Sequence, residues 1–148
     1  MDLITTHLNA DFDGLASMVA ARKLYPGAVL VFPGGAQESV RNYLAEHDLG
    51  ICRLKDVALE QVRRLILVDV QEPERIGPLK ALSVRKDLEV HVFDHHGAGE
   101  GSEASAWPSV TERHIEPVGA TATLLIERLK GRHVALTASE ATVLAMGL

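Results

Sequence analysis

Short apolar runs alternate along this chain with longer segments in which apolar residues recur at helical spacing, and this alternation constrains the fold most. The apolar run at residues 65–68 is typical of a strand that is covered on both faces. Strands that alternate with helices favour an α/β fold, with a doubly wound, mostly parallel sheet and helices on both faces. The predicted strands are residues 3–6, 28–32, 65–68 and 88–93, and the predicted helices are residues 14–24, 37–47, 74–82, 118–130 and 137–148.

The last predicted helix has a defined start but no settled end. Thr137 as N-cap with Glu140 three residues later is the pattern of a capping box. Residues 143–148 are mostly apolar and carry no polar tail of the kind that is common at chain ends. We therefore expect residues 1–148 to be the N-terminal domain of a longer protein.

The composition fits one domain of ordinary size, with 148 residues of which 47% are hydrophobic. The net charge of −5 argues against a large basic face for nucleic acid. A site rich in carboxylates nevertheless reverses its local charge when it takes up divalent cations. Such a chain can therefore still bind phosphate groups where the cations lie.

The single cysteine and the N-terminus bear on the compartment. Cys52 has no partner for an internal disulfide, so a reducing, cytoplasmic setting is expected. We predict that Cys52 is a small, buried side chain. The N-terminus has no signal-peptide pattern, and no apolar run approaches the roughly 20 residues of a membrane span, so no membrane association is expected.

Side chains that can bind metals directly follow three of the predicted strands. Because the carboxyl ends of parallel strands lie along the same edge of a sheet, these side chains should meet there. Carboxylates and imidazoles without thiols suit manganese, iron, zinc or cobalt, and this many donors exceeds what one metal needs. The three clusters are His7, Asn9, Asp11 and Asp13; then Asp69; then Asp94, His95 and His96.

Each cluster also has an interpretation that needs no metal. Asp11 and Asp13 could form a turn followed by a helix N-cap. Asp69 alone could cap a loop at the end of its strand, and His95 and His96 could be a solvated pair. The shared position of all three clusters, each directly after a strand, favours the metal site over these separate interpretations.

The motifs resemble those of the DHH phosphoesterase superfamily over nearly the whole chain. Residues 7–14, His-Leu-Asn-Ala-Asp-Phe-Asp-Gly, resemble its first motif, and Asp69 resembles its second. Asp94-His95-His96 is similar to the triplet that names the superfamily. Its members include RecJ-like exonucleases, oligoribonucleases, cyclic dinucleotide phosphodiesterases and family II inorganic pyrophosphatases.

The detailed sequence is most similar to one subgroup. Residues 7–17 and 119–123 look most like DHH modules that precede CBS domains and a tRNA nucleotidyltransferase or poly(A)-polymerase-like domain. The family's fourth motif, which supplies a further aspartate, would begin just after residue 148. We therefore expect residues 1–148 alone to bind the second metal weakly and to hydrolyse little.

The resemblance implies a manganese-dependent phosphodiesterase or exonuclease with two divalent metal ions, for which Mg²⁺ or Co²⁺ are alternatives to Mn²⁺. His7 and Asp11 would bind the first metal, and Asp13 and His95 would bind the second. Asp69 would bridge the two. A water molecule activated by both metals would attack phosphorus in line.

Catalytic and substrate-binding roles follow from the same resemblance. Asp94 would orient a neighbouring imidazole, and His96 would contact the scissile phosphate or move a proton. Asn9 would hold the first-motif loop and contribute to the substrate site. Gly119, in the segment that opens a predicted helix, could bind substrate through the helix N-terminus or could simply permit close packing.

Three functions remain open from the sequence. The first is hydrolysis of phosphodiester bonds in short nucleic acids or dinucleotides. The second is hydrolysis of pyrophosphate or another phosphoanhydride, and the third is a non-catalytic nucleotide- or RNA-binding module of a tRNA nucleotidyltransferase fusion. Expected partners are a nucleic acid or nucleotide, C-terminal domains of the same polypeptide and, as an alternative, a second copy of the chain.

Several other residues are expected to be structural. His91 alternates with two valines and should face one side of its strand without binding metal. Ser17 on the first predicted helix should serve packing rather than contact phosphate. The loop at residues 97–108 is rich in Gly, Ser and Ala and is expected to be mobile.

Overall fold

A six-stranded parallel sheet forms the centre of the computed structural model, which describes residues 1–97, 107 and 110–148. The strand order is β3-β2-β1-β4-β5-β6, and each neighbouring pair is parallel. This arrangement confirms the predicted parallel α/β architecture. The strands are β1 (Asp2–Thr5), β2 (Val29–Val31), β3 (Ile51–Cys52), β4 (Arg64–Val68), β5 (Glu89–Asp94) and β6 (Val110–Ile115).

The sheet separates two apolar cores. One core holds Ile66 and Phe93 together with helical side chains such as Leu15 and Leu124. The other holds alternate residues of the same strands, such as Leu65, against a 3₁₀ segment, Pro73–Val84. In the described residues the α-helices are α1 (Phe12–Leu24), α2 (Glu38–Glu46), α3 (Thr121–Gly131) and α4 (Ala138–Met146), and shorter 3₁₀ turns are Leu54–Asp56 and Leu59–Gln61.

The predicted helix at residues 74–82 is the element that differs most. The structure has a 3₁₀ segment that is kinked at Ile76 and Gly77. Gly77 has a φ of +50°, which side-chain-bearing residues rarely adopt, and Pro78 lacks an N–H for a continuous helical ladder. The last predicted helix fits better, because Thr137 and Glu140 form the expected capping box.

Two strands were not predicted. β3 has only two residues, and β6 (Val110–Ile115) carries a polar sequence with an exposed middle. Both lie at edges of the sheet, where one side of a strand lacks a neighbour and an apolar run is not required. The prediction that Cys52 is buried is wrong, because the thiol at the end of β3 is exposed.

Other predictions concern single segments. His91 is buried on one face of β5, and its ring nitrogen Nδ1 lies 2.7 Å from the Tyr25 hydroxyl. Most of the 97–108 loop lies outside the described residues. The prediction that this loop is mobile therefore stays a prediction. In the part of the chain that the structure describes, no helix has both the length and the apolar character needed to cross a bilayer.

Candidate metal centre

The predicted site residues lie where the strand order reverses. The chain leaves β1 toward β2 on one side, and β4 pairs with β1 on the other, so the loops after these strands diverge and leave a crevice. A cleft of about 390 Å³ opens there. Of the predicted site residues, His7, Asp11, Asp13, Asp69, His95, His96 and Gly119 line it.

Two predicted site residues do not line the cleft. Asp94 lies beneath it with 1% of its surface exposed. Asn9 is exposed and has a φ of +55°, a left-handed conformation that asparagine tolerates better than most residues. Asn9 therefore shapes the turn between β1 and α1, and its predicted contact with substrate stays a prediction.

His7 has a tautomer that its backbone surroundings select. Its Nδ1 lies 2.7 Å from the carbonyl oxygen of Leu8, which can only accept, so Nδ1 carries the hydrogen and donates it. Nε2 is therefore the ring nitrogen that faces the carboxylates. Nε2 lies 3.6 Å from Oδ1 of Asp11 and 3.3 Å from Oδ2 of Asp69.

His95 repeats this arrangement on the other side of Asp69. Its Nδ1 donates to the carbonyl oxygen of Val118 at 3.1 Å. Its Nε2 lies 3.5 Å from Oδ2 of Asp13 and 3.3 Å from Oδ1 of Asp69. Asp69 thus presents one carboxylate oxygen to each imidazole, with a second aspartate beside each.

Asp69 is held in this central position by its neighbours. It follows β4, is 2% exposed and has a φ of +58°. Its N–H donates to the carbonyl of Phe93 at 2.9 Å, and the hydroxyl of Thr121 donates to its Oδ1 at 3.0 Å. A buried carboxylate with a fixed donor on one oxygen keeps its orientation when a ligand binds.

Asp11 and Asp13 belong to the start of α1. Asp11 is the N-cap of α1, and its Oδ1 accepts the N–H of Gly14 at 2.8 Å. Asp11 therefore caps the helix and lines the cleft at the same time. Asp13 accepts the N–H groups of Thr121 and Ala122 at 3.0 and 2.9 Å. The N-terminus of α3 therefore points at the Asp13 carboxylate, which suits its negative charge.

Ser17 also belongs to this environment. Its buried hydroxyl donates to Oδ1 of Asp13 at 3.2 Å, one turn along α1. The predicted structural role of Ser17 therefore consists of orienting a carboxylate of the cleft.

Asp94 fixes the ring of His96 from below. Its Oδ1 accepts the N–H of His95 at 2.9 Å and Nδ1 of His96 at 2.7 Å. The Gln71 amide donates to Oδ2 of Asp94 at 2.7 Å and to the His96 carbonyl at 2.9 Å. The carboxylate thus holds the Nδ1 hydrogen of His96 and fixes the orientation of the ring.

The electrostatics of the cleft favour added positive charge. Hydrogen bonds first to Asp11 and then to Asp69 raise the pKa of His7 to about 10, so a proton is retained among these carboxylates. The same contact with His7 lowers the pKa of Asp11. Burial, followed by the charge of Asp69, raises the pKa of Asp13, because its ionised form is crowded by another carboxylate.

The donor set fits divalent cations. Ligand atoms of His7, Asp11 and Asp69 lie within 4.8 Å of one another, and so do those of a second group, Asp69, Asp94, His95 and His96. Oxygen and imidazole nitrogen donors of this kind suit first-row divalent metals. The two groups share Asp69, so the geometry can hold two ions with one common carboxylate.

Three residues of this environment were not predicted. Thr121 and Gln71 hold carboxylates of the site, and Arg75 lines the cleft. Thr121 lies in the segment of residues 119–123 that resembles DHH modules, and this resemblance was the available signal. Gln71 and Arg75 lie in a polar stretch after Asp69 that has no periodicity to distinguish them.

Comparison with known proteins identifies the family of the chain. The model of the DHH family, N-terminal domain, matches residues 3–148, and the chain belongs to that family. It is 42% identical over 151 residues to an A-adding tRNA nucleotidyltransferase of Geobacter sulfurreducens, covering 100% of this chain and 17% of that protein. A second A-adding tRNA nucleotidyltransferase, from Aquifex aeolicus, is 29% identical over 140 residues, covering 94% of this chain and 15% of the relative.

A solved structure shares the fold. An exopolyphosphatase-related protein from Bacteroides fragilis superposes with a TM-score of 0.76 over 99% of this chain and 44% of its own, at 14% sequence identity. The likeness at this identity concerns the architecture. Membership of the DHH family makes a metal-dependent hydrolase site the expected use of the cleft.

Proposed function

We propose that this domain is a metal-dependent phosphoesterase that hydrolyses phosphodiester bonds of short nucleic acids or dinucleotides. The observation that carries the proposal is the position of Asp69. Its two oxygens face two imidazoles whose tautomers are set by backbone carbonyls, and each imidazole has a second aspartate beside it. A symmetric pair of donor groups around a shared carboxylate is suited to two cations.

The proposed ligand assignment follows the distances. His7 and Asp11 would hold one cation, Asp13 and His95 the other, and Asp69 both; Mn²⁺ is the expected ion. The chemistry that such cations supply is a lowered pKa for water and neutralised charge on the phosphoryl oxygens.

His96 is the proposed proton carrier. Nδ1 of the ring lies 2.7 Å from Oδ1 of Asp94, so Nε2 is the nitrogen left to contact substrate. The side chain is about half exposed at the cleft, where a leaving oxygen can reach it. His96 would donate a proton to that oxygen and regain one from solvent, while Asp94 and Gln71 hold the ring orientation.

RNA is the proposed substrate class. The two curated relatives are named as A-adding tRNA nucleotidyltransferases, and this chain spans less than a fifth of their length. We propose that the domain accompanies such an activity and acts on RNA ends or short RNA products. Pyrophosphate is the alternative substrate that the same cation chemistry would permit.

The test is hydrolysis of end-labelled dinucleotide and short RNA by the full-length protein with Mn²⁺, beside pyrophosphate. Asp69→Ala combined with His95→Ala should lower turnover by more than about 100-fold. This loss exceeds the roughly 10- to 100-fold effect of residues that only orient a metal ligand. His47→Gln is the matched control, because His47 is exposed and contacts the Tyr43 carbonyl away from the cleft.

The outcomes separate the three functions. Mononucleotide product that the double variant abolishes supports the proposal. Cleavage of pyrophosphate without cleavage of dinucleotide would replace it with the phosphoanhydride activity. Failure of the wild-type protein to cleave dinucleotide, short RNA or pyrophosphate would refute the hydrolase proposal and leave the function of a binding module.

A further inference from the structure

The walls of the cleft carry an imbalance of charge. Asp11, Asp13 and Asp69 contribute three carboxylates, and two divalent cations bound among them would slightly outweigh that charge. A nucleotide substrate with more than one phosphate brings more negative charge than this small excess offsets, and a fixed cation of the protein can pair with it. Among the described residues that line the cleft, Arg75 is the only lysine or arginine.

The backbone of Arg75 is anchored to the metal-binding loop. Its carbonyl accepts the N–H of Leu8 at 2.7 Å, and Leu8 follows His7 directly. Ile76 is fully buried, and the chain is kinked at Gly77, which has a φ of +50°. A Cβ at Gly77 would lie 3.0 Å from the Leu8 side chain, so this turn packs closely on the loop. The backbone of Arg75 is therefore tied directly to the loop that carries His7.

The guanidinium of Arg75, in contrast, is left available. Its side chain is 47% exposed, and its ion pair with Glu72 is long, at 3.9 Å. It makes no hydrogen bond to a side chain or carbonyl of the described residues. Arg85 shows the opposite case, with three hydrogen bonds to Asp87 and the Leu59 carbonyl. An anchored backbone with a guanidinium held only by one long ion pair is the arrangement expected of a residue that binds a ligand.

The other cationic feature of the cleft is already occupied. The first N–H groups of α3, at Thr121 and Ala122, donate to Asp13. They are therefore not free to bind a substrate anion, although a helix N-terminus otherwise would be. Among the described residues that line the cleft, Arg75 therefore remains to donate two parallel hydrogen bonds to phosphate oxygens.

We infer that Arg75 binds a phosphate group of the substrate and thereby selects nucleotides over uncharged esters. This inference rests on the proposed function and adds a recognition residue to it. The phosphate is either the scissile one or the one next to it, and both phosphates present the same kind of non-bridging oxygens. Substrates with one and with two phosphates distinguish them.

The experiment compares wild-type full-length protein with Arg75→Gln and Arg75→Lys on two substrates, a dinucleotide and its 5′-phosphorylated form. Arg75→Gln should raise KM by about 10- to 100-fold with kcat changed less than about threefold. Arg75→Lys should fall between, because it keeps the charge and loses the bidentate geometry. Arg63→Gln is the matched control, since that side chain is 70% exposed and pairs with Asp87 outside the cleft.

Salt dependence provides a second readout that a purely structural role would not change. The slope of log KM against log salt concentration should become shallower by about one unit in Arg75→Gln. A KM increase for both substrates assigns the scissile phosphate, and an increase for the phosphorylated substrate alone assigns its neighbour. An unchanged KM and salt slope on both would overturn the inference.

Failure of the inference can be told apart from failure of the proposed function. Equilibrium binding of a fluorescent dinucleotide with a non-hydrolysable phosphonate link is measured by anisotropy, without turnover. If wild-type protein binds it and cleaves nothing, the hydrolase proposal fails while Arg75 is still tested by the loss of affinity in Arg75→Gln. If wild-type protein cleaves substrate and Arg75→Gln binds equally well, only the role of Arg75 is wrong.

Discussion

Replacing Thr121 with valine is expected to weaken the binding of divalent cations without removing any proposed ligand. Thr121 is fully buried, and its hydroxyl donates to Oδ1 of Asp69 at 3.0 Å. Valine has nearly the same shape, so the helix and the packing should persist. The change removes one hydrogen bond to the carboxylate that both proposed metal positions share.

The expected size of the effect comes from two independent estimates. A hydrogen bond to a charged group contributes about 1.5–3 kcal/mol. Loss of a residue that is hydrogen-bonded to a metal ligand typically lowers metal affinity by about 10- to 100-fold, which is about 1.4–2.8 kcal/mol. The two ranges agree, because in both cases Asp69 loses the donor that fixes its orientation.

Calorimetric titration of Mn²⁺ into metal-free protein measures this effect directly. Thr121→Ser is the matched control, because it keeps the hydroxyl and should bind Mn²⁺ within about threefold of wild type, well inside the estimated loss. Circular dichroism before each titration checks that the variants are folded. Wild-type Mn²⁺ affinity in Thr121→Val would refute the assignment of Asp69 as a shared ligand that Thr121 supports.

Three further predictions concern stability. Gly14→Ala would place a Cβ 2.7 Å from Oγ1 of Thr6, so it should lower the free energy of unfolding in urea by about 1–3 kcal/mol, and adding Thr6→Ala should restore part of that loss. Thr137→Ala removes the bond from the Glu140 N–H and should cost about 1 kcal/mol in the same assay; no change would show that the capping box is dispensable. Burial raises the pKa of Tyr25 to about 12, so stability should fall as pH rises from about 10 to about 12, and Tyr25→Phe should flatten that decline.

The sign of the tyrosine effect follows from proton binding. Between the unfolded pKa, about 10, and the folded one, the unfolded chain has lost the phenolic proton while the folded chain retains it. The unfolded state therefore binds fewer protons, and raising the pH favours it. A steeper decline in Tyr25→Phe than in wild type would contradict this account.

The central strands were predictable because they are buried on both faces. Residues 65–68 must be apolar at every position, and the structure has β4 there. The edge strand β6 does not need apolar residues at every position, and its sequence from Val110 to Ile115 includes three charged or imidazole side chains. A strand of this kind is recognised only when its neighbour, β5, is already in place.

The kink at Gly77 shows a second limit of the sequence pattern. Apolar residues in this region recur at a spacing that suits a helix, and the structure has a 3₁₀ segment instead. The conformation of Gly77 depends on its close approach to Leu8 and the Pro33 carbonyl, which lie far away in sequence. Periodicity describes one element at a time and contains no information on such contacts.

The sequence by itself determined the donor types and their positions after strands, because strand ends and acidic motifs are local features. It also indicated that the carboxyl ends of parallel strands would bring these donors to one edge. Only the tertiary structure decided which nitrogen of His7 and His95 faces the aspartates, since that depends on the Leu8 and Val118 carbonyls within hydrogen-bond reach. The helix dipole on Asp13 and the place of Arg75 in the cleft likewise result from packing between segments distant in sequence, which residue order alone does not specify.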